Sequence, residues 1–339
     1  MNINVNRIYL MLGNECNLQC KYCLQHDIVD DQVCHAVHPA VYKYIANLQK
    51  HQQRPIGITF FGGEPLIFWE QIKEFVLRLS ATDVKFGMVT NGKCLTQEKV
   101  DFINENNIGV GLSWDGYNTM ETRGYDVVKD KLDLLTQIKN LNITGVVSQE
   151  NYPFDFVCAV DEFDKSYYDK NGRHVGINMD LIMDNCSNCG ELTDIDFDKW
   201  REQMDMVKSK AERVDAGELE YSTAKRIVAS ITSLSARKVD VLSAKCGNGL
   251  TTLNIDMQGN LYQCHNTHRK IGTIFEDSLT PIRRMMLIDP TNYNYRTMCK
   301  GCSVLPYCRN GCMLMNQDTR KRYYCKLAQA TYEPFLNKK

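Results

Sequence analysis

Cys16, Cys20 and Cys23 lie in the run Cys16-Asn17-Leu18-Gln19-Cys20-Lys21-Tyr22-Cys23, spaced by three residues and then two. Thiolate is the soft ligand that iron–sulfur clusters require. Three thiolates on one tight loop can hold three irons of a four-iron, four-sulfur cluster. The next cysteine is Cys34, so one iron is left open for a non-protein ligand. An open iron suits catalysis better than structural stapling. The competing reading is a zinc loop, in which His26 completes a set of four ligands with these thiolates.

With Tyr22 just before its last cysteine, the motif resembles that of the radical S-adenosylmethionine (SAM) superfamily. The resemblance implies that SAM chelates the open iron through its amino and carboxylate groups. It also implies that reductive cleavage of SAM gives a 5′-deoxyadenosyl radical, which abstracts hydrogen.

A chain of 339 residues is long enough for a full core and about two domains. Its 43% hydrophobic and 24% charged content is ordinary for a globular protein. A net charge of −1 argues against bulk nucleic-acid binding. No apolar run approaches the roughly 18 residues that span a membrane, and no signal peptide is evident. Fifteen cysteines, an odd number grouped in ligand-like sets, read as metal ligands in an intracellular setting rather than as disulfides. A cytoplasmic location follows as the expectation.

Residues 1–185 alternate short apolar runs with longer amphipathic stretches, the rhythm of strand–helix units around a parallel sheet. The expected strands are 8–12, 57–61, 85–90, 109–113, 144–148 and 176–183. The expected helices include 39–49, 69–79, 97–106 and 125–141. The fold class is α/β: a partial (β/α)6 TIM-type barrel, followed by a small cysteine-rich α+β domain. Active sites of parallel barrels gather at the carboxyl ends of strands, and the informative motifs fall there. Gly62-Gly63-Glu64-Pro65 offers glycines that let the backbone approach a ligand, a carboxylate, and a stiffened turn. In the family resemblance, Gly62, Gly63 and Glu64 contact the SAM amino group. Thr90 and Asn91 then lie near the ribose, and Ser113 and Asp115 near the ribose or the methionine end. Arg123 binds the SAM carboxylate, a task that suits a guanidinium fork, and Tyr22 lies against the adenine. Asn178 and Asp180, on the sixth strand, are left without a role.

Residues 186–245 read as a helical bridge, with helices over 198–214 and 218–235 and Asp194 as a possible cap. Cys186 and Cys189 form a CxxC pair that binds metal, acts as a redox dithiol, or does neither.

The region 246–339 carries Cys246, then twelve residues, Gly259, four residues and Cys264, followed by Cys299-x2-Cys302-x5-Cys308-x3-Cys312 and Cys325. Apolar alternation around Gln258-Gly259-Asn260 predicts a β-hairpin. Zinc knuckles are the bland alternative. The spacing is similar to that of the SPASM domain, which holds two auxiliary four-iron, four-sulfur clusters. That resemblance assigns Cys299, Cys302, Cys308 and Cys325 to one auxiliary cluster, and Cys246, Cys264 and Cys312 to the other. Many relatives have a further cysteine where Thr252 stands here, so the second cluster lacks one protein thiolate. A substrate thiolate, His265, His268, water, Cys186 or Cys189 are the alternatives for that place. His265 takes the position of an Asp proposed as a base in sulfatase-maturing enzymes, which makes it a candidate for proton transfer.

The function implied is a radical SAM/SPASM maturase that removes hydrogen from a residue of a peptide or protein. Its cofactors are SAM, one SAM-binding cluster and two auxiliary clusters. Its partners are the substrate, a reductant such as ferredoxin or flavodoxin, and a separate leader-recognition protein, since only 15 residues precede Cys16. Ribosomal-peptide maturation is favoured. Oxidation of a Cys or Ser to formylglycine, as in anaerobic sulfatase maturation, is the alternative, and a non-catalytic electron carrier or zinc-stapled protein is the reading from another class. Substrate identity and oligomeric state are not legible.

Overall fold

Strand β1 (Arg7–Met11) alternates its side chains between two environments. Ile8 and Leu10 are wholly buried, whereas Tyr9 turns to the other face and lines a cavity. The next strand, β2 (Gly57–Phe61), repeats this, with Ile58 and Phe60 in the core and Phe61 at the cavity. This is the two-residue period of a strand, with helices on one side and a lumen on the other. The computed structural model describes residues 5–25, 36–183, 195–235, 251–267, 269–276, 299, 301–309, 311–312, 315 and 323–336.

Strands β3 (Lys85–Thr90), β4 (Gly109–Ser113), β5 (Leu141–Val147) and β6 (Gly176–Leu181) continue the series, each parallel to its predecessor. Helices α1 (Pro39–Lys50), α2 (Trp69–Leu79), α3 (Gln97–Glu105), α4 (Thr119–Arg123), α5 (Val127–Leu135) and α6 (Pro153–Asn171) alternate with them. The strand–helix barrel read from the sequence is therefore present. Several boundaries shift by one or two residues, and two shift further. The helix expected over 125–141 is α5 alone, kinked at Lys131, and β5 begins at Leu141, where the side chain turns into the core.

The expected hairpin forms from β7 (Thr252–Asp256) and β8 (Asn260–Tyr262), paired antiparallel, with Gly259 at a φ of +84° in the turn. β9 (Lys270–Thr273) pairs with β8. β7 also lies parallel to β1, from Arg7 opposite Thr252 to Met11 opposite Asp256. Among the described residues the sheet thus has nine strands, in the order β6-β5-β4-β3-β2-β1-β7-β8-β9. The hairpin is an extension of the barrel sheet.

Helices α7 (Phe197–Asp215) and α8 (Ala224–Ser235) occupy the stretch expected to be helical, the second starting later than residue 218. The cap of α7 is Asp196, whose carboxylate accepts from the Asp198 and Lys199 N–H groups at 3.0 Å each; Asp194 lies outside the described residues. Trp200, Met204, Val207 and Ala211 form the buried stripe of α7. Among the described residues two short helices follow, α9 (Leu305–Cys308) and α10 (Cys325–Tyr332). Trp200 is fully buried, and its Nε1 donates to Thr331 Oγ1 of α10 at 3.0 Å. Among the described residues no helix is long and apolar enough to cross a membrane.

Candidate active site

A cavity of about 500 Å³ opens at the carboxyl ends of the barrel strands. Cys16, Cys20 and Cys23 line it from one side, and Cys264 and Cys312 from another. The apolar part of its wall comes from residues such as Leu18, Phe61, Val89, Val146 and Leu181.

The cysteine loop is held by backbone. Gly63 N donates to Gly13 O at 2.9 Å, and Glu64 N to Glu15 O at 2.8 Å. The glycines are what permit this contact. A Cβ on Gly62, whose φ is +146°, would meet Gly13 O at 2.2 Å, and one on Gly63 would meet Glu15 O at 2.3 Å. Both glycines line the cavity, but the close approach they allow is to the cysteine loop itself. On the other side, Lys21 N donates to Thr122 O at 3.0 Å, and Lys21 Nζ pairs with Glu121 and Glu150.

Each of the three thiols has an N–H donor beside it. Asn91 Nδ2 stands 4.0 Å from Cys16 Sγ, Arg123 Nη1 4.0 Å from Cys20 Sγ, and Gln25 N 3.4 Å from Cys23 Sγ. Burial pushes the Cys20 thiol up to about 11 against the pull of Arg123, and it also raises Cys16. These protons must leave when a metal binds. Donors of this kind suit sulfur ligands of a cluster, and the three thiols share one cavity, so the residues present fit a cluster with an open iron. His26, Cys34, Cys186, Cys189, Cys246 and His268 lie outside the described residues. Among the described residues, no three His, Cys, Asp or Glu side chains gather closely enough to grip one metal ion.

Glu64 is 1% exposed. Its Oε1 accepts from Leu66 N at 2.9 Å and Thr90 Oγ1 at 2.6 Å, and its Oε2 from Asn91 N at 2.8 Å. Burial raises its pKa against those three donors. Its carboxylate therefore joins the end of β2 to the end of β3, and one acceptor site of the four on a carboxylate remains for a ligand. Asn91 reaches back to the cysteine loop, donating to Asn17 Oδ1 at 2.8 Å. Thr90, Asn91 and Ser113 line the cavity as expected for strand-end residues.

Asp115 differs from its expectation. It is wholly buried, and its carboxylate accepts from Tyr22 Oη, Thr122 Oγ1 (2.7 Å), Arg123 Nε (3.0 Å), Arg123 Nη2 (3.2 Å) and Val146 N (2.9 Å). It does not line the cavity; it supports Arg123 and Tyr22, which do. The Arg123 guanidinium also sits 5.4 Å from the centre of the Tyr22 ring. Burial pushes the Tyr22 phenol well above its usual range.

His265 follows Cys264 out of β8 into the cavity wall. Its ring stacks on Tyr9 at 4.1 Å and meets Phe61 edge-on at 4.5 Å. Burial, with a smaller contribution from Arg7, pulls its pKa down to about 4, so the ring is neutral at ordinary pH. Its Nδ1 is buried without a hydrogen-bond partner among the described residues. Cys264 and Cys299 are buried, and Cys302, Cys308, Cys312 and Cys325 are half-buried. Cys302 N donates to Cys299 O, and Cys308 N to Val304 O, closing the tight turns between them. Sequence reasoning passed over Tyr9, Asn17, Gln25 and Thr122. Asn17 alone lay within the cysteine run, and the others carried no local signal. Asp180, left without a role, is exposed at the cavity wall.

Residues 10–149 match the model of the Radical SAM superfamily. Among characterised relatives, the radical SAM cyclopropyl synthase TigE of Paramaledivibacter caminithermalis is 26% identical over 52% of this chain and 42% of its own length. The match thus spans less than half of TigE. A cysteine-type anaerobic sulfatase-maturating enzyme of Clostridium novyi is 20% identical over 96% of this chain and 94% of its own. Among solved structures, anSMEcpe with bound AdoMet superposes with a TM-score of 0.71 at 18% identity, over 98% of this chain and 96% of that one. Streptococcus suis SuiB bound to precursor peptide SuiA gives a TM-score of 0.65 at 14% identity, over 92% and 73%. These two likenesses are of fold.

Proposed function

We propose that this chain, whose residues 10–149 match the model of the Radical SAM superfamily, is a maturase of that superfamily acting on a ribosomally made peptide. The observation that carries this reading is the shared cavity, reached both by the Cys16–Cys23 loop and by Cys264 and Cys312. A reaction begun at one loop then has the second set of thiols within the same enclosure.

In this reading Cys16, Cys20 and Cys23 hold the first cluster. Cys299, Cys302, Cys308 and Cys325 hold one auxiliary cluster, and Cys246, Cys264 and Cys312 the other. When bound, the first cluster and SAM supply a 5′-deoxyadenosyl radical that takes hydrogen from a substrate Cα or Cβ. The protein's own residues bind and orient. Arg123, braced by Asp115, offers Nη1 toward a carboxylate. Glu64 keeps an acceptor site for an ammonium group, and Tyr22, Thr90, Asn91 and Ser113 frame the nucleoside. Leu18, Val89, Val146 and Leu181 exclude water. His265, neutral and facing the cavity, accepts the proton released as the product bond forms. An external reductant of the ferredoxin or flavodoxin type and a separate leader-recognition protein complete the system, in the cytoplasm. The units are the barrel 1–185, the bridge 186–245 and the auxiliary-cluster region 246–339.

Nearly end-to-end alignment with a sulfatase-maturating enzyme favours a second reading, oxidation of a protein Cys or Ser to formylglycine. The deciding experiment is anaerobic reconstitution with iron and sulfide counting, then dithionite and SAM. Release of 5′-deoxyadenosine is expected. A cluster-loaded sample that yields none refutes the proposal, as does zinc in place of iron. Mass spectrometry of peptides encoded beside the gene, and of Cys- or Ser-bearing sulfatase peptides, separates the two substrates.

A further inference from the structure

Cys158 lies on α6 and Lys210 on α7, and neither lines the cavity. Lys210 Nζ stands 3.5 Å from Cys158 Sγ and 2.8 Å from Asp161 Oδ2. Asp161 is itself fixed. It accepts from Ser222 Oγ, Thr223 N and Thr223 Oγ1, each at 2.7 Å, and Ser222 and Thr223 are wholly buried just before α8. The centre of the Phe154 ring, also on α6, lies 5.5 Å from the same Nζ. The amine is thus held against the sulfur, yet the Lys210 side chain is 20% exposed and Cys158 is half-buried, so a small oxidant reaches both.

We propose that Cys158 and Lys210 are the two ends of a covalent staple, formed by dioxygen and undone by thiols, that joins α6 to α7 through one oxygen atom between Sγ and Nζ. The inference needs neither a cluster nor a substrate, so it stands apart from the maturase reading. Dioxygen takes up four electrons, two from the thiol sulfur and two from the amine nitrogen. The O–O bond, the S–H bond and two N–H bonds of the ammonium group break, and S–O and O–N bonds form. The second oxygen leaves as water with two of the hydrogens, and the remaining proton passes to Asp161, already in contact with Nζ. Two molecules of dithiothreitol return the four electrons and both side chains. The flexible lysine stem makes the small closure that the bridge requires. Burial raises the Cys158 thiol against the pull of Lys210, so the sulfur rests as a thiol and reacts under sustained exposure. A thiol without this neighbour climbs to sulfinic and sulfonic acid, which are not recovered. The amine diverts that course to a reversible product. Because α7 also carries Trp200, bonded to Thr331 of α10, the staple ties the last barrel helix to the element that anchors the C-terminal helix.

The test uses the full chain, purified anaerobically and divided, one part exposed to air and one kept under nitrogen. Both are digested with trypsin without reduction and analysed by mass spectrometry. The expected product in air is peptide 140–165, which contains Cys158, joined to peptide 209–213, uncut after Lys210. Its mass is that of the two peptides plus one oxygen and minus two hydrogens. Alkylation of Cys158 in urea should fall by about tenfold or more on exposure and return after dithiothreitol. Lys210→Arg keeps a cation beside Asp161 and should leave Cys158 to become sulfinic or sulfonic acid. Cys158→Ser should restore cleavage after Lys210. An exposed parent chain whose Cys158 is still alkylated, or whose Cys158 is oxidised while trypsin cuts after Lys210, overturns the proposal whatever the variants do. So does a linked pair of peptides that lacks the added oxygen.

Discussion

Arg123 Nε lies 3.0 Å from Asp115 Oδ2, and Asp115 is wholly buried. The pair stands between the cysteine loop and the ends of β4 and β5, so one carboxylate positions a guanidinium, a phenol and the Val146 N–H at once. Removing one partner of a buried ion pair leaves the other charge uncompensated. Asp115→Ala is expected to destabilise the fold by about 3–5 kcal/mol, read as a lower urea midpoint. Combining it with Arg123→Met should recover part of that loss, because no unpaired charge then remains.

Gly63→Ala tests the packing of the cysteine loop. The added Cβ would lie 2.3 Å from Glu15 O and 2.4 Å from Asn14 O, both backbone atoms. Either the loop or the end of β2 must shift, at a cost of about 1–3 kcal/mol. Iron content after reconstitution should fall, together with the melting temperature. Parent-like values of both would show that the loop yields without consequence.

His265→Phe keeps an aromatic ring against Tyr9 and Phe61 but removes the proton acceptor. Release of 5′-deoxyadenosine is expected to continue while modified peptide falls by about 10²–10⁴-fold, the range for general base catalysis. Undiminished product, measured by mass spectrometry, would assign the ring to packing alone.

Replacing Cys16, Cys20 and Cys23 together by Ala should abolish 5′-deoxyadenosine and lower the iron count. Cys299→Ala with Cys302→Ala should retain some SAM cleavage while ending substrate turnover. Equal loss of both activities in the second variant would remove the distinction between the first and auxiliary sites.

Trp200→Ala probes how the last helix is anchored. The indole is fully buried and bonds to Thr331. Its loss is expected to cost about 3–5 kcal/mol, seen as a lower denaturant midpoint. A Thr331→Val variant should cost less, because it removes the hydrogen bond while keeping the packing.

Strands 57–61, 85–90 and 109–113 and helix 69–79 were legible to the residue, because strand and helix periods are written in neighbouring side chains. The end of the helix begun near residue 125 was not. Nothing local separates α5, kinked at Lys131, from the apolar start of β5. Asp115 read as a group near the ligand because the family resemblance puts that strand-end position there. That its carboxylate turns inward depends on Tyr22, Thr122, Arg123 and Val146 N, which converge only in the folded chain. Asp180 went the other way, from an unassigned strand residue to an exposed one at the cavity.

Ligand spacing, strand rhythm and the turn at Gly259 belong to the amino-acid sequence by itself, since covalent geometry links neighbours whatever the rest of the molecule does. Tertiary structure alone laid β7 along β1, committed Glu64 and Asp115 to protein donors, and set Gln25 against His265. Such meetings join positions far apart in the chain. They are settled by which apolar faces must be buried together and which buried polar groups must find partners, conditions that no short stretch of residues contains.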